Sequence, residues 1–376
     1  MSQRYLAGFI QAGLFNPLVA PGAPTYTYEL WSWGLNGDGQ LGLGNITNYS
    51  SPKQVGALTT WSKVIAGAQY TLATKTDGTL WSWGRNNNGQ LGLGNTTNYS
   101  SPKQVGALTT WSIIACGSNH TVSIKTDGTI WSWGLNGDGQ LGLGNITNYS
   151  SPKQVGALTS WLNISCGGNH SIATKTDGTL WSWGRNNNGQ LGLGNTTNYS
   201  SPKQVGALTT WSIIACGSNH TVSIKTDGTL WSWGRSNGGQ LGLGNTTYYS
   251  SPKQVGALTT WSKVIAGAQY TLATKTDGTL WSWGFNSSGQ LGLGNVTNYS
   301  SPVQVGALTT WSKIACGGRT SIATKTDGTI WSWGLNANGQ LGLGDITNRS
   351  SPVQVGALTT WLSIAAGYYL SIALKY

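Results

Sequence analysis

The chain has 376 residues, a formal net charge of +11 and only 8% charged residues. Its lysines recur evenly instead of gathering into a basic tail, so neither a charge-rich disordered chain nor a nucleic-acid-gripping tail fits. No run of 18 apolar residues occurs, which excludes a membrane-crossing helix.

In chain order, residues 1–24 come first and stand outside everything that follows. This stretch is apolar, with Tyr5, Leu6, Phe9, Ile10, Leu14 and Phe15, and it ends in Pro and Gly. A cleaved signal is disfavoured because Gln11, Asn16 and Pro17 interrupt the apolar run. The arm reads as an attachment segment, contacting other proteins of a virion or surface assembly through those six residues.

From residue 25 to 376 the chain repeats with a period of 50 residues, seven times, without insertion or deletion. Each unit opens on TLWSWG or a close variant, where alternation puts Leu80 and Ser82 on one face and Trp81 and Trp83 on the other. A long Gly-rich loop follows, then a short strand expected around Gln104–Val105. Trp111–Gly117 and His120–Thr126 read as two more strands, and Asp127–Gly128 as a tight hairpin turn into the next unit. Four antiparallel strands, seven times, predict an all-β, seven-bladed β-propeller. The chain stops at Ser371–Tyr376, where the Asp-Gly turn should follow, and enters its first unit where that turn should end. Pairing these two strands closes the ring and removes exposed edges.

The string W-x-W-G-x-N-x-x-G-Q-L-G-L-G, then S-P-x-x-V, I-x-x-G-x-x-H and D-G-T-L/I-W, resembles the repeat of the regulator of chromosome condensation family. The resemblance implies a seven-bladed propeller closed by strands from both termini. It also brings the family's nucleotide-exchange activity on a small GTPase, and its chromatin binding, into view as a rival function. Departures are local: Tyr70, Tyr270, Thr320 and Leu370 replace a histidine kept at His120, His170 and His220.

The letters that suggest chemistry mostly have structural readings. GQLGLG is not followed by the helix that a phosphate loop requires. Cys116, Cys166, Cys216 and Cys316 occupy one repeat position, which suits buried thiols better than disulfides. The Cys–His pairs fall one to a unit, so they are not expected to converge on a metal. Six aspartates sit in Asp-Gly turns, and no nucleophile, base and orienting acid come together. No cofactor and no enzymatic activity are expected.

What differs between units is more informative. After the Trp-Gly of each unit the letters run LNGDG, RNNNG, LNGDG, RNNNG, RSNGG, FNSSG and LNANG. A second variable patch follows the Gly67 position. Antiparallel order places both at one rim, opposite a nearly invariant rim, and loops on rigid scaffolds commonly carry recognition. The expected ligand-binding rim holds Arg85, Arg185, Arg235, Arg319, Phe285, Tyr70, Tyr248, Tyr270, Tyr368, His120, His170 and His220, with the Lys53-type lysines around it. Such a surface suits a cell-surface glycan or protein, with aromatic anchors, and the few scattered arginines disfavour nucleic acid. The leading expectation is a non-enzymatic display, adhesion or receptor-binding propeller on a virion or in the extracellular space, in the style of bacteriophage tail-associated repeat proteins. Homo-oligomerisation is left open, and a secreted inhibitor-type propeller is the second rival.

Overall fold

A computed structural model describes residues 28–376. Seven four-stranded antiparallel sheets form the blades of a propeller. The first blade runs Trp61–Ala66, Tyr70–Lys75, Leu80–Gly84 and Tyr99–Gln104. The first of these strands is innermost: its end and the turn after it, repeated in every blade, line a central channel. The next five blades occupy 111–154, 161–204, 211–254, 261–304 and 311–354 by the same rule.

The seventh blade joins the two ends of the chain. Glu29–Gly34 pairs with Leu370–Lys375 in unbroken register, from Glu29 opposite Lys375 to Gly34 opposite Leu370. A salt bridge of 3.0 Å between Lys375 Nζ and Glu29 Oε2 lies at one end of this ladder. The ring is closed, and each physical blade straddles two sequence units.

One strand departs from expectation. The outer strand is Tyr99–Gln104, earlier and longer than the residues around Gln104–Val105. It is paired along one edge only and is largely solvent-facing, so it carries no alternating apolar signal. Pro102 is tolerated there because an edge strand has no second partner to miss its N–H.

The blades are held together by the loop that carries GQLGLG. The carbonyl of Gln90 accepts the hydroxyl of Thr121 (2.9 Å) and the indole Nε1 of Trp133 (2.9 Å), both in the next blade. Gly94 N donates to the Ser150 carbonyl of that blade's outer strand. The same bonds cross the closing seam: Ser371 and Trp33 both donate to the Gln340 carbonyl, and Gly344 N to Ser50 O. Trp33 and its six equivalents are fully buried.

Glycine is required where the loop lies on the neighbouring indole. Gly142 has φ +73°, and a Cβ there would stand 2.9 Å from Trp183 Nε1, whereas a Cβ on Gly137 in the same loop would meet nothing. Gly142→Ala is therefore expected to destabilise the protein by about 2 kcal/mol, combining the left-handed backbone cost with displacement of the indole. Gly137→Ala should stay within about 0.5 kcal/mol of the parent. Denaturant midpoints of the two variants check this, and equal midpoints would refute the clasp.

Candidate functional site

Each blade delivers two loops to the same rim. One is the tight turn between inner and second strands (67–69 in the first blade). The other is the long loop between third and outer strands (85–98). The opposite rim carries the Asp-Gly turns and the 105–110 crossovers.

The long loop is organised by one asparagine. Asn86 Oδ1 accepts Leu91 N, its Nδ2 donates to the Asn95 carbonyl, and its own N–H donates to Asn98 Oδ1. In the fourth blade Ser236 and Tyr248 replace the Asn86/Asn98 pair. Tyr248 is then left 44% exposed on the loop.

Around the channel mouth the variable letters touch one another, within a blade and across seams. Arg85 Nη1 donates to Gln69 Oε1 at 2.5 Å. Asn169 and Asn198 both donate to Asp138 of the preceding blade, and Asn98 donates to Asp38. Arg319 stacks on Phe285 with its guanidinium carbon 5.3 Å from the ring centre. Phe285 sits against Gly238, where a Cβ would be 3.0 Å from the phenylalanine Cβ. Part of the variation is thus complementarity between neighbouring loops. Arg85, Arg185, Arg235 and Phe285 remain half-buried and Arg319 is exposed.

Tyr368 occupies a position that is Ala, Ser or Gly in the other six blades. Its hydroxyl reaches across the ring to Ser218 Oγ at 2.5 Å, three blades away. Around that mouth the backbone of adjacent turns is bonded in sequence: Ser118 to Gly168, Gly168 to Ser218, Ser218 to Ala268, and Tyr368 to Ala68. Tyr368 therefore closes the channel end that faces the variable rim. The sequence signal for this was one bulky residue at an otherwise small position.

Five expected rim residues belong to the interior. Tyr70, Tyr270, His120, His170 and His220 have no exposed surface. Gly67 and Gly117 precede them, and a Cβ at either would lie within 2.2 Å of the following ring. The ring folds back over the bare glycine and reaches into the next seam. Tyr70 Oη donates to the His120 carbonyl at 2.5 Å, and Tyr270 Oη to that of Thr320 at 2.6 Å. His120 Nε2 pairs with Ser171 Oγ, His170 with Thr221 Oγ1 and His220 with Thr271 Oγ1.

The Lys53-type lysines are also displaced. They lie on the outer strands, near the end away from the variable loops, with Lys53 opposite Ser32 and Nζ 5.6 Å from the Tyr49 ring. Val303 and Val353 take this position in the fifth and sixth blades. The four cysteines are free and line the channel. Burial pushes the Cys116 and Cys216 thiols up to about 12, so they stay protonated. Among the described residues no cluster of His, Cys, Asp or Glu could hold a metal ion. The attachment residues Tyr5, Leu6, Phe9, Ile10, Leu14 and Phe15 lie outside the described residues.

The family model described as the regulator of chromosome condensation (RCC1) repeat matches seven times: residues 29–74, 77–124, 127–174, 177–224, 227–274, 277–324 and 327–374. Solved structures share the fold at low identity. Human WBSCR16 is 21% identical with a TM-score of 0.83, covering 93% of this chain and 98% of that one. Prp20p from Saccharomyces cerevisiae, described with its binding to Gsp1p and histones, is 21% identical with a TM-score of 0.84, covering 94% and 92%. Yeast RCC1 (Prp20) bound to Kap60 is 20% identical with a TM-score of 0.85, covering 100% and 94%.

The buried imidazoles give stability a defined pH dependence. Burial holds His120, His170 and His220 at about 3, the charge of His170 adding to the effect on the other two. In the unfolded chain they titrate near 6.5, so unfolded molecules bind more protons below that pH. Stability is full above about pH 6.5 and falls by about 1.4 kcal/mol per pH unit for each histidine as pH drops toward the folded value. A combined His120→Gln, His170→Gln and His220→Gln variant should show a flatter stability profile between pH 6.5 and 4.5. Parallel profiles would refute neutral burial.

Proposed function

The chain belongs to the regulator of chromosome condensation repeat family, and we propose that it is a non-enzymatic binding propeller that presents its variable rim to a macromolecular partner. One observation carries this reading. The contacts that seal the ring repeat from blade to blade, whereas the rim around the Tyr368-closed mouth changes, with Arg85, Arg185, Arg235 and Arg319 set among Phe285, Tyr248 and Tyr368. Arg85 is already held by Gln69 and Arg319 by Phe285, so less side-chain freedom is lost when a partner docks. The partner is a cell-surface glycan or protein. The setting is a virion or extracellular surface, to which residues 1–24 attach the propeller.

A second reading follows from the family itself. Prp20p is described with Gsp1p and histones as its binding partners. A regulator acting on a small GTPase would use the same kind of rim. The uniform 50-residue units of this chain provide no protruding insertion between blades, which favours the display reading.

Binding of the purified protein to whole cells and virions tests the first reading. Arg85→Ala, Arg185→Ala and Arg235→Ala together should weaken that binding at least tenfold, as expected when charged interface anchors are lost. Unchanged binding would remove the rim from the site. Accelerated nucleotide release from a small GTPase would favour the second reading instead.

A further inference from the structure

The outer wall of the ring carries a second surface that does not vary. At the seam between the fourth and fifth blades lies a groove of about 430 Å³. Trp261 and Trp281 line it together with Leu243, Leu258 and Pro302, and its polar side chains are those of Gln254 and Ser301. Among the described residues no ionisable side chain lines it directly, Lys275 lying over the two indoles. Trp261 is almost fully buried and packs edge-on against Trp281, with ring centroids 6.1 Å apart. Trp281 is only half-buried. Its indole N–H is already engaged by Thr279, and its ring carries Lys275 Nζ at 3.6 Å.

The same letters stand at every seam. The Leu258 position is leucine in all seven units and is 46–51% exposed in each. One exposed leucine needs no explanation, but seven copies beside seven half-exposed tryptophans make a repeated apolar feature on a weakly charged protein. These leucines are about half exposed, so burial in the blade cores does not account for them.

We propose that each seam groove binds one neutral pyranose ring, so that the propeller engages a repeating glycan through up to seven equivalent sites. The volume falls in the range of small-molecule sites, about 300–1,000 Å³. An aromatic face with leucine and proline suits the apolar face of a sugar ring. The Gln254 amide and the Ser301 hydroxyl suit its hydroxyls. Lys275 is engaged over the Trp281 ring, and the lining residues themselves offer nothing to a phosphate, a carboxylate or an ammonium group. Seven weak sites on one rigid ring gain avidity for a polymer of about 10²–10⁴ over a single site. This surface is distinct from the variable rim, so the two readings stand or fall separately.

The probes are the methyl glycosides of α-glucose, α-mannose, β-galactose and N-acetyl-β-glucosamine. Tryptophan fluorescence gives the affinity, in the millimolar range, and equilibrium dialysis gives the stoichiometry. One glycoside should bind at several equivalents per chain. Leu258→Arg, at an exposed tip, should remove one equivalent while leaving the melting temperature unchanged. Changing all seven leucines to arginine should abolish binding, and the Arg85/Arg185/Arg235→Ala variant should bind normally. The proposal is overturned if none of the four glycosides binds, or if Leu258→Arg leaves the stoichiometry intact. It is equally overturned if binding is lost with the three arginines alone, or if only an apolar peptide occupies the groove.

Discussion

In each blade the main-chain carbonyl of the glutamine in GQLGLG faces the next blade. At every seam it accepts a Thr or Ser hydroxyl, and at six of the seven also an indole N–H; Thr71 to Gln40 and Ser371 to Gln340 mark its reach around the circle. A buried carbonyl left without a donor would cost about 1–3 kcal/mol, so the loop and its neighbour specify one another. Gly42 and its equivalents let the loop lie flat on that indole, and Gly44 and its equivalents bond the neighbour's outer strand. The seam that leads into the blade built from both chain ends carries the full set, with Ser371 and Trp33 on the Gln340 carbonyl, whereas at the Gln40 seam the Trp83 indole N–H makes no hydrogen bond. The hydroxyl and glycine-amide bonds seal all seven seams, and most of the invariant letters of the repeat are consumed in making them.

Nearer the axis a second set of contacts crosses the seams. His120, His170, His220, Tyr70 and Tyr270 each reach from one blade to polar groups of the next, folded over a glycine that leaves room for the ring. At the nearly invariant rim, Asp77 accepts from both the backbone and the hydroxyl of Thr79, and that hydroxyl accepts the Trp81 indole N–H. Lys75 covers the Trp81 ring at 3.7 Å. Asp77, Thr79, Trp81 and Lys75 thereby satisfy one another locally. Free chemistry is left to the variable loops around Tyr368 and to the outer seams.

The fold was legible because its signals are short-range. Period-two alternation in TLWSWG, the Asp-Gly turns and the truncated hairpin at Ser371–Tyr376 each depend on a few adjacent residues, and seven copies reinforce them. The outer strand was misplaced because an exposed edge has no alternating pattern to read. The site was less legible. Variation between units at the His120 and Tyr70 position suggested a rim site, but Gly117 and Gly67 turn those rings inward, and only the neighbouring blade reveals where they go. The Lys53-type residues follow the outer strand, whose register is set by pairing with Ser32 and its equivalents. The Tyr368–Ser218 contact joins residues 150 positions apart, and the seam groove is assembled from four separate segments of chain. A bulky Tyr368 at a small position hints at the first, but no local pattern names its partner or encodes the groove.

The central claim is that the glycine-amide and hydroxyl clasp, present at all seven seams, seals the ring equally, including at the two seams that flank the blade built from both chain ends. Native-state hydrogen exchange at the amides of Gly44, Gly94, Gly144, Gly194, Gly244, Gly294 and Gly344 measures this directly. All seven should exchange only through global unfolding, with the same protection free energy. Early, denaturant-independent exchange at Gly344, where the loop meets the N-terminal strand pair, would mean that the termini close the ring loosely and would contradict the account.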